Sequence, residues 1–318
     1  MAMEVLVAGE ALIDFVQHPC NDGSGFLPLP GGSPYNVAIG LARLGVATGF
    51  LGRLSKDLFG RMLRSYLETN DVDLTYLKEG DEPSTLAFVM PGANREPTYA
   101  FFGNGTADQA IRPTDLPAMF PATLRAVHVG SYSMACEPIG LALTKLMERE
   151  KGRRFLSLDP NIRPSMVGDR ATYLGKLQHW VELADLVKCS RADAAFVLPD
   201  GDPRDLIERW LGCGPELVVL TAGGDEIVGA TRGTSVTVDV PRVKVADTVG
   251  AGDAFMSGLL AWLRDSGRLS GRRLAELGKD ELATALTFSA RVAAITCTRR
   301  GANPPSRAEV DQWTPIRS

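Results

Sequence analysis

The chain has 318 residues, of which 45% are apolar and 23% charged, and a formal net charge of −4; this is the usage of a globular α/β protein with one large domain or two smaller ones. No basic block interrupts that balance, so the electrostatics of a nucleic-acid-tracking protein are missing, while a local anion site is still compatible with it. The amino-terminal apolar run is broken by Glu4, Glu10 and Asp14, no stretch is long enough to cross a membrane, and Cys20, Cys136, Cys189, Cys213 and Cys297 stand far apart; the reading is a cytoplasmic protein with reduced thiols and no membrane partner.

Taken in order, MEVLVAG predicts a buried strand, and FVQHPCNDGSGFLPLP at 15 to 30 breaks the rhythm with proline and glycine. PYNVAIGLARLG predicts a helix near 34 to 44, with Ser33 as its N-cap, Pro34 at its first position and Gly45 closing it in a left-handed conformation. VATGFLG is the next strand, followed by a helix near 57 to 69 that Asn70 stops. STLAFVMPGANREPTYAFFG at 84 to 103 is a second break, two strand-like runs around PGANREP. AVHVG, a helix near 138 to 150, RFLSLD, a helix near 172 to 183, ADLVK and LVVL then alternate. EIVGATRGTSVTVDV reads as a hairpin around Arg232 and Gly233, PRVKVA is strand-like, and helices near 252 to 264 and 281 to 296 complete the chain. Alternation of short apolar runs with helices is the pattern of βαβ units, so the predicted fold class is α/β, a parallel sheet with helices on both faces. The two breaks could fold as a small β flap over one edge, or as plain loop excursions.

DTVGAGDAF, residues 247 to 255, carries the chemistry. It precedes a helix, so Gly250, Ala251 and Gly252 can present bare amides at the positive end of the helix dipole, an anion site that a bulky side chain would obstruct. Asp253 in the first turn would repel a phosphate unless it serves an acceptor hydroxyl, taking its proton while the amides hold a transferring phosphoryl group. A carboxylate of ordinary proton affinity suffices when the proton moves late. The alternative is a simple helix cap.

DTVGAGDAF together with GGSPYNVAIGLARLG resembles the two signature regions of the ribokinase-like (PfkB) carbohydrate kinases, joined in order by GEALIDF, FLGRLSKDLFG, LDPNIRP, VVLTAGG and TRRGANPP. The resemblance spans almost the whole chain. It implies one Rossmann-like three-layer α/β/α domain over 1–318, a small β-sheet lid formed by the insertions at about 15–30 and 84–103, and ATP-dependent phosphorylation of a sugar hydroxyl.

Site roles follow from the resemblance. Asp253 is the base, beside the anion site of Gly250, Ala251 and Gly252. The sugar falls to Asp14, Gly31, Gly32, Asn36, Phe102 and Arg163, where Arg163 otherwise pairs with Asp159. Lys188, Thr221, Gly223 and Gly252 face ATP, and the adenine slot lies between the loops near 240 to 248 and the helix carrying Arg291. Asp247, the Val249 carbonyl and carbonyls of the 296 to 306 loop are candidates for a monovalent cation such as K+. Relatives often carry an acidic residue three positions after Lys188 to organise Mg2+; here Arg191 stands there, leaving Asp193 as a substitute or the metal on phosphates and water alone.

Within the family the motifs look most like bacterial fructokinases. Phe101, Phe102 and Gly103 make an apolar and glycine lining that favours a neutral ketose, which the resemblance places as D-fructose phosphorylated at its 6-hydroxyl. The runners-up are 2-keto-3-deoxygluconate, which Arg95 could reach, then a nucleoside, and a sugar sensor without turnover. A nicotinamide dehydrogenase is excluded by GEALID standing where G-x-G-x-x-G would be. The resemblance leaves both a homodimer through the lid and a monomer open.

Overall fold

The computed structural model describes residues 2–20, 23–91 and 97–314. The strands, in chain order, are β1 (Val5–Ala8), β2 (Leu12–Cys20), β3 (Gly23–Gly31), β4 (Thr48–Ser55), β5 (Leu77–Gly80), β6 (Thr85–Pro91), β7 (Pro97–Phe102), β8 (Ala126–Gly130), β9 (Phe155–Asp159), β10 (Leu186–Ser190), β11 (Leu217–Thr221), β12 (Glu226–Ala230) and β13 (Ser235–Asp239). The helices are α1 (Ser33–Arg43), α2 (Leu58–Thr69), α3 (Ile139–Glu150), α4 (Arg170–Leu183), α5 (Arg191–Val197), α6 (Pro203–Leu211), α7 (Ala251–Asp265), α8 (Gly271–Ala275), α9 (Lys279–Cys297) and α10 (Arg307–Gln312).

Among the described residues nine strands form one sheet in the order β13-β12-β11-β10-β9-β8-β1-β4-β5. All neighbours from β11 to β5 run parallel, and β12 and β13 add an antiparallel margin. The pleat explains the continuous apolar runs. In β1, Val5 and Val7 enter the core under α1, α7 and α9, and Leu6 and Ala8 enter the opposite core, with Trp180 of α4 and Trp210 of α6. A sheet covered on both faces admits no polar alternation. The predicted α/β three-layer architecture is the one observed.

A second sheet of four strands, β3-β2-β6-β7, stands apart from the first. β2 pairs with β3 antiparallel and with β6 parallel, and β6 pairs with β7 antiparallel. One face packs on the large domain through Leu12, Ala87 and Phe101 against Tyr132. The other stacks Phe15, Phe26, Phe88 and Phe102 edge to face or flat. Arg95 falls outside the described residues.

Three local expectations differ. Gly32, not Ser33, caps α1, at φ 107°, and the Ser33 hydroxyl is used elsewhere. PRVKVA joins no ladder: Pro241 brings no amide, and the segment's Ala246 amide donates to the Cys297 carbonyl at 2.8 Å instead. The short helices α5, α6, α8 and α10 have no counterpart among the expected elements, although Ser190 with Asp193 forms a capping box and Asp202 with Pro203 starts α6. Gly45 closes α1 at φ +81° as expected.

Candidate active site

The carboxyl ends of β8 to β11 and the amino termini of α1 and α7 surround a cleft of about 290 Å³, roofed on one side by the small sheet. This is where ligands gather in open parallel sheets. The helix starts are set by sequence: Gly250 caps α7 in the left-handed region at φ 75°, and a Cβ there would also stand 2.6 Å from the Ala302 methyl. The Ala251 amide turns back to the Thr248 carbonyl at 3.2 Å. The amides of Gly250, Gly252 and Asp253, which precede the return of the Ala254 amide to the Gly250 carbonyl at 2.8 Å, are left with no intrahelical acceptor.

Asp253 is 6% exposed. Ser33 Oγ donates to its Oδ1 at 2.7 Å and Asn36 Nδ2 to its Oδ2 at 2.8 Å. Asn161 Nδ2 lies 3.5 Å from Oδ1. Burial raises its proton affinity above the usual carboxylate range, against the lowering effect of Asn36, Ser33, Lys188 and Arg163. An ordinary carboxylate would suffice for a late proton transfer; burial shifts Asp253 toward a stronger proton acceptor than that. Asn36, assigned to the sugar, meets Asp253, and Ser33 joins it there rather than acting as a cap.

Asp14 projects from β2 into the same cleft, over Gly31 of the paired strand. A Cβ on Gly31 would overlap Asp14 Oδ2, so only glycine leaves room for the carboxyl group. Gly32 is held at φ +107° against the Glu10 carbonyl. Burial pushes Asp14 up to about 7; Arg163 opposes this, and Asp253 and Asp247 add to it. Glu10 went unnoticed in the sequence, where it reads only as a charge interrupting an apolar run. It lines the cleft floor, accepts from the Ser33 amide at 3.2 Å and the Ser133 amide at 3.3 Å, and is likewise raised to about 7 by burial.

Arg163 lines the cleft, and its Nη1 donates to Asn161 Oδ1 at 2.7 Å. The alternative pair with Asp159 is not formed; Asp159 pairs with Lys188 at 2.6 Å instead. Phe102 requires a correction. It is 61% exposed on the outer face of the small sheet, and Phe101 lines the cleft. Successive side chains of a strand point oppositely, and the pairing of Ala87 with Phe101 decides which one turns inward. Gly103 does not line the cleft either; a Cβ there would meet Gln109 Nε2 at 3.0 Å.

At the other end, Thr221 and Gly223 line both the cleft and a contiguous apolar recess of about 100 Å³ walled by Ile227, Val240, Phe255, Ala290 and Ala293. This recess lies between the 240 loop and α9, where the adenine slot was expected, although Arg291 itself turns to a groove with Trp262 and Phe288 on the other side of that helix. Lys188 Nζ, the first-turn glycine and the apolar recess together fit a polyphosphate followed by a flat heterocycle.

The metal candidates fit less well. Asp247 accepts from the Val249 amide at 3.1 Å and the Gly301 amide at 2.8 Å, tying its turn to the 296 to 306 loop. Arg191 points away from the cleft to Asp225 at 3.0 Å. Both oxygens of Asp193 accept from the protein, at 2.6 Å from the Ile162 amide and 2.8 Å from the Ser190 amide. Among the described residues no group of three or more histidine, cysteine, aspartate or glutamate side chains could hold a metal ion, and no helix is long and apolar enough to cross a membrane.

Comparison with known proteins gives three findings. Residues 2–309 match the profile of the pfkB family carbohydrate kinases. The fructokinase of Rhizobium leguminosarum bv. trifolii is 38% identical over 279 residues, covering 87% of this chain and 85% of that one. Among solved structures, fructokinase with bound ATP from Xylella fastidiosa superposes with a TM-score of 0.88 at 28% identity, covering 96% of each chain. A double mutant of the Vibrio cholerae O395 enzyme with fructose, ADP and potassium gives 0.84 at 26%, covering 97% of each.

Proposed function

Because this chain belongs to the pfkB family of carbohydrate kinases, we propose that it is an ATP-dependent fructokinase that transfers the γ-phosphoryl group to the 6-hydroxyl of D-fructose. The observation that carries this reading is the placement of Asp253. Its carboxylate sits in the first turn of α7, held by Ser33 and Asn36, in one cleft with the Asp14 carboxyl and Gly32.

In this reading Asp14, above Gly31, accepts hydrogen bonds from sugar hydroxyls and Arg163 donates to them. The acceptor hydroxyl is turned to Asp253, which receives its proton as the oxygen bonds to the γ-phosphorus and the bond to the β-phosphate oxygen breaks, releasing ADP. The amides of Gly252 and Asp253 and the Lys188 ammonium stabilise charge on the transferring group, which is the main source of acceleration in a loose transition state. The raised proton affinity of Asp253 makes it a better acceptor at the moment of transfer. Magnesium, if held by the nucleotide rather than by this chain's side chains, would add to the neutralisation of that charge. Asp247 and the Val249 carbonyl border the site we assign to K+.

The small sheet acts as the lid, with Leu12 and Phe101 on its cleft side. Its opposite face leaves Phe26 42%, Met90 49% and Phe102 61% exposed, and we assign that face to a homodimer contact. ADP release in the presence of ATP, measured on fructose, 2-keto-3-deoxygluconate, ribose and a nucleoside, tests the reading. Fructose is expected to lead; preference for the acid or the nucleoside would replace it.

A further inference from the structure

A cation at a helix amino terminus is unfavourable, because the helix dipole already presents positive charge there. Lys188 nevertheless brings its ammonium to the first turn of α7, where a Cβ on Gly252 would lie 3.2 Å from Nζ. What offsets the repulsion is one buried partner. Lys188 is 3% exposed, Asp159 is fully buried, and Nζ lies 2.6 Å from Oδ2. β9 and β10 are parallel neighbours, and their pleat sets both side chains toward α7. Asp159 Oδ1 accepts no hydrogen bond among the described residues, so the carboxylate is given over to Lys188.

The other groups around the ammonium do not replace it. His128 of β8 lies beneath, fully buried, with Nδ1 2.8 Å from Ser157 Oγ, and burial with the nearby lysine charge lowers it to about 3. It is a neutral ring. Asp193 from α5 and Asp253 from α7 add negative charge, but Asp193 is occupied by the Ser190 and Ile162 amides and Asp253 by Ser33 and Asn36.

We infer that Asp159 is a positioning residue for phosphoryl transfer, holding the Lys188 ammonium charged and aimed along Gly252 so that it meets the nucleotide phosphates. This rests on the kinase reading. Burial alone disfavours a charged lysine, whereas the carboxylate restores it. Without Asp159, Lys188 sheds its proton more readily and its attraction for phosphate is lost with it.

The test is the pH profile of ATP affinity, by calorimetry between about pH 6.5 and 9.5, a range reaching toward the ordinary lysine value. In the unsubstituted protein the profile is flat over the upper half of this range. Asp159→Asn is expected to bind ATP nearly as well at the acidic end and about tenfold or more weakly at the alkaline end, with fructose affinity unchanged. Adding Lys188→Arg flattens the profile again, because a guanidinium keeps its proton. An Asp159→Asn profile parallel to the unsubstituted one overturns the inference. Should Asp159→Asn lose its cooperative thermal transition, 15N-lysine NMR of the unsubstituted protein decides: the Nζ signal missing from Lys188→Met must shift when ATP is added, and a signal unmoved at saturation overturns the inference. A protein that binds no ATP at any pH fails the kinase reading itself.

Discussion

The two ends of the cleft are built from opposite materials. At the acceptor end three carboxyl groups, Glu10, Asp14 and Asp253, are buried, Asp14 and Asp253 within reach of each other's charge, and Glu10 and Asp14 are raised to about 7. At the nucleotide end, beyond Thr221 and Gly223, the wall is Ile227, Val240, Phe255 and two alanines of α9. The acceptor end discriminates through charge in a low-dielectric setting, where displacement of a single oxygen is felt strongly. The apolar recess at the nucleotide end has only shape to offer, and a flat ring needs little more.

The strongest way to break this contrast is Asp253→Asn. It is expected to cut turnover by about 10² to 10⁴ while fructose and ATP affinities by calorimetry stay within a few-fold; near-normal turnover would remove the base. Gly31→Ala pushes a methyl group into Asp14, and the KM for fructose should rise roughly 10- to 100-fold, as for a lost hydrogen bond to a charged group. An unchanged KM would mean that Asp14 does not need that space. At the other end, Ala290→Leu fills the apolar recess and should weaken ATP binding by about 1–3 kcal/mol through overpacking with fructose binding untouched; equal losses for both ligands would erase the division of labour.

The contrast also has a pH signature. In the proposed reading Asp14 accepts from sugar hydroxyls, which the ionised carboxylate does more strongly than the acid, and burial places its value at about 7, so fructose affinity should fall as pH drops through that point. Nearby Asp253 contributes to the elevation, so in Asp253→Asn this acid limb moves to lower pH. Binding curves from about pH 5.5 to 8, spanning the raised value and approaching the ordinary carboxylate one, check both statements, and a limb at the same pH in the two proteins contradicts the coupling. The smallest effect belongs to Phe102→Ala, expected to leave fructose KM within about twofold, as surface substitutions usually do. Phe101→Ala, which opens the cleft wall, should raise it more. A reversed ranking would show that the strand register changes when sugar binds.

Much of this was legible in the linear order of residues. A glycine-rich turn followed by an aspartate at a helix start, and a strand aspartate ahead of a glycine pair, are local arrangements: neighbouring residues alone determine that bare amides and carboxyl groups appear there. The α/β alternation is local in the same sense. What only the tertiary structure decided are choices between distant partners. Ser33 had two uses for its hydroxyl, and it took Asp253, 220 positions away, over its own helix end. The sequence offered Asp159 two cations, and it pairs with Lys188, because the pleats of β9 and β10 turn both toward α7 while Arg163 leaves on the exit loop. Phe101 and Phe102 are equivalent in composition, and pairing with β6 chose between them. Proton affinities belong to the same category, since they depend on how much water the completed cleft excludes, a property of the packed whole.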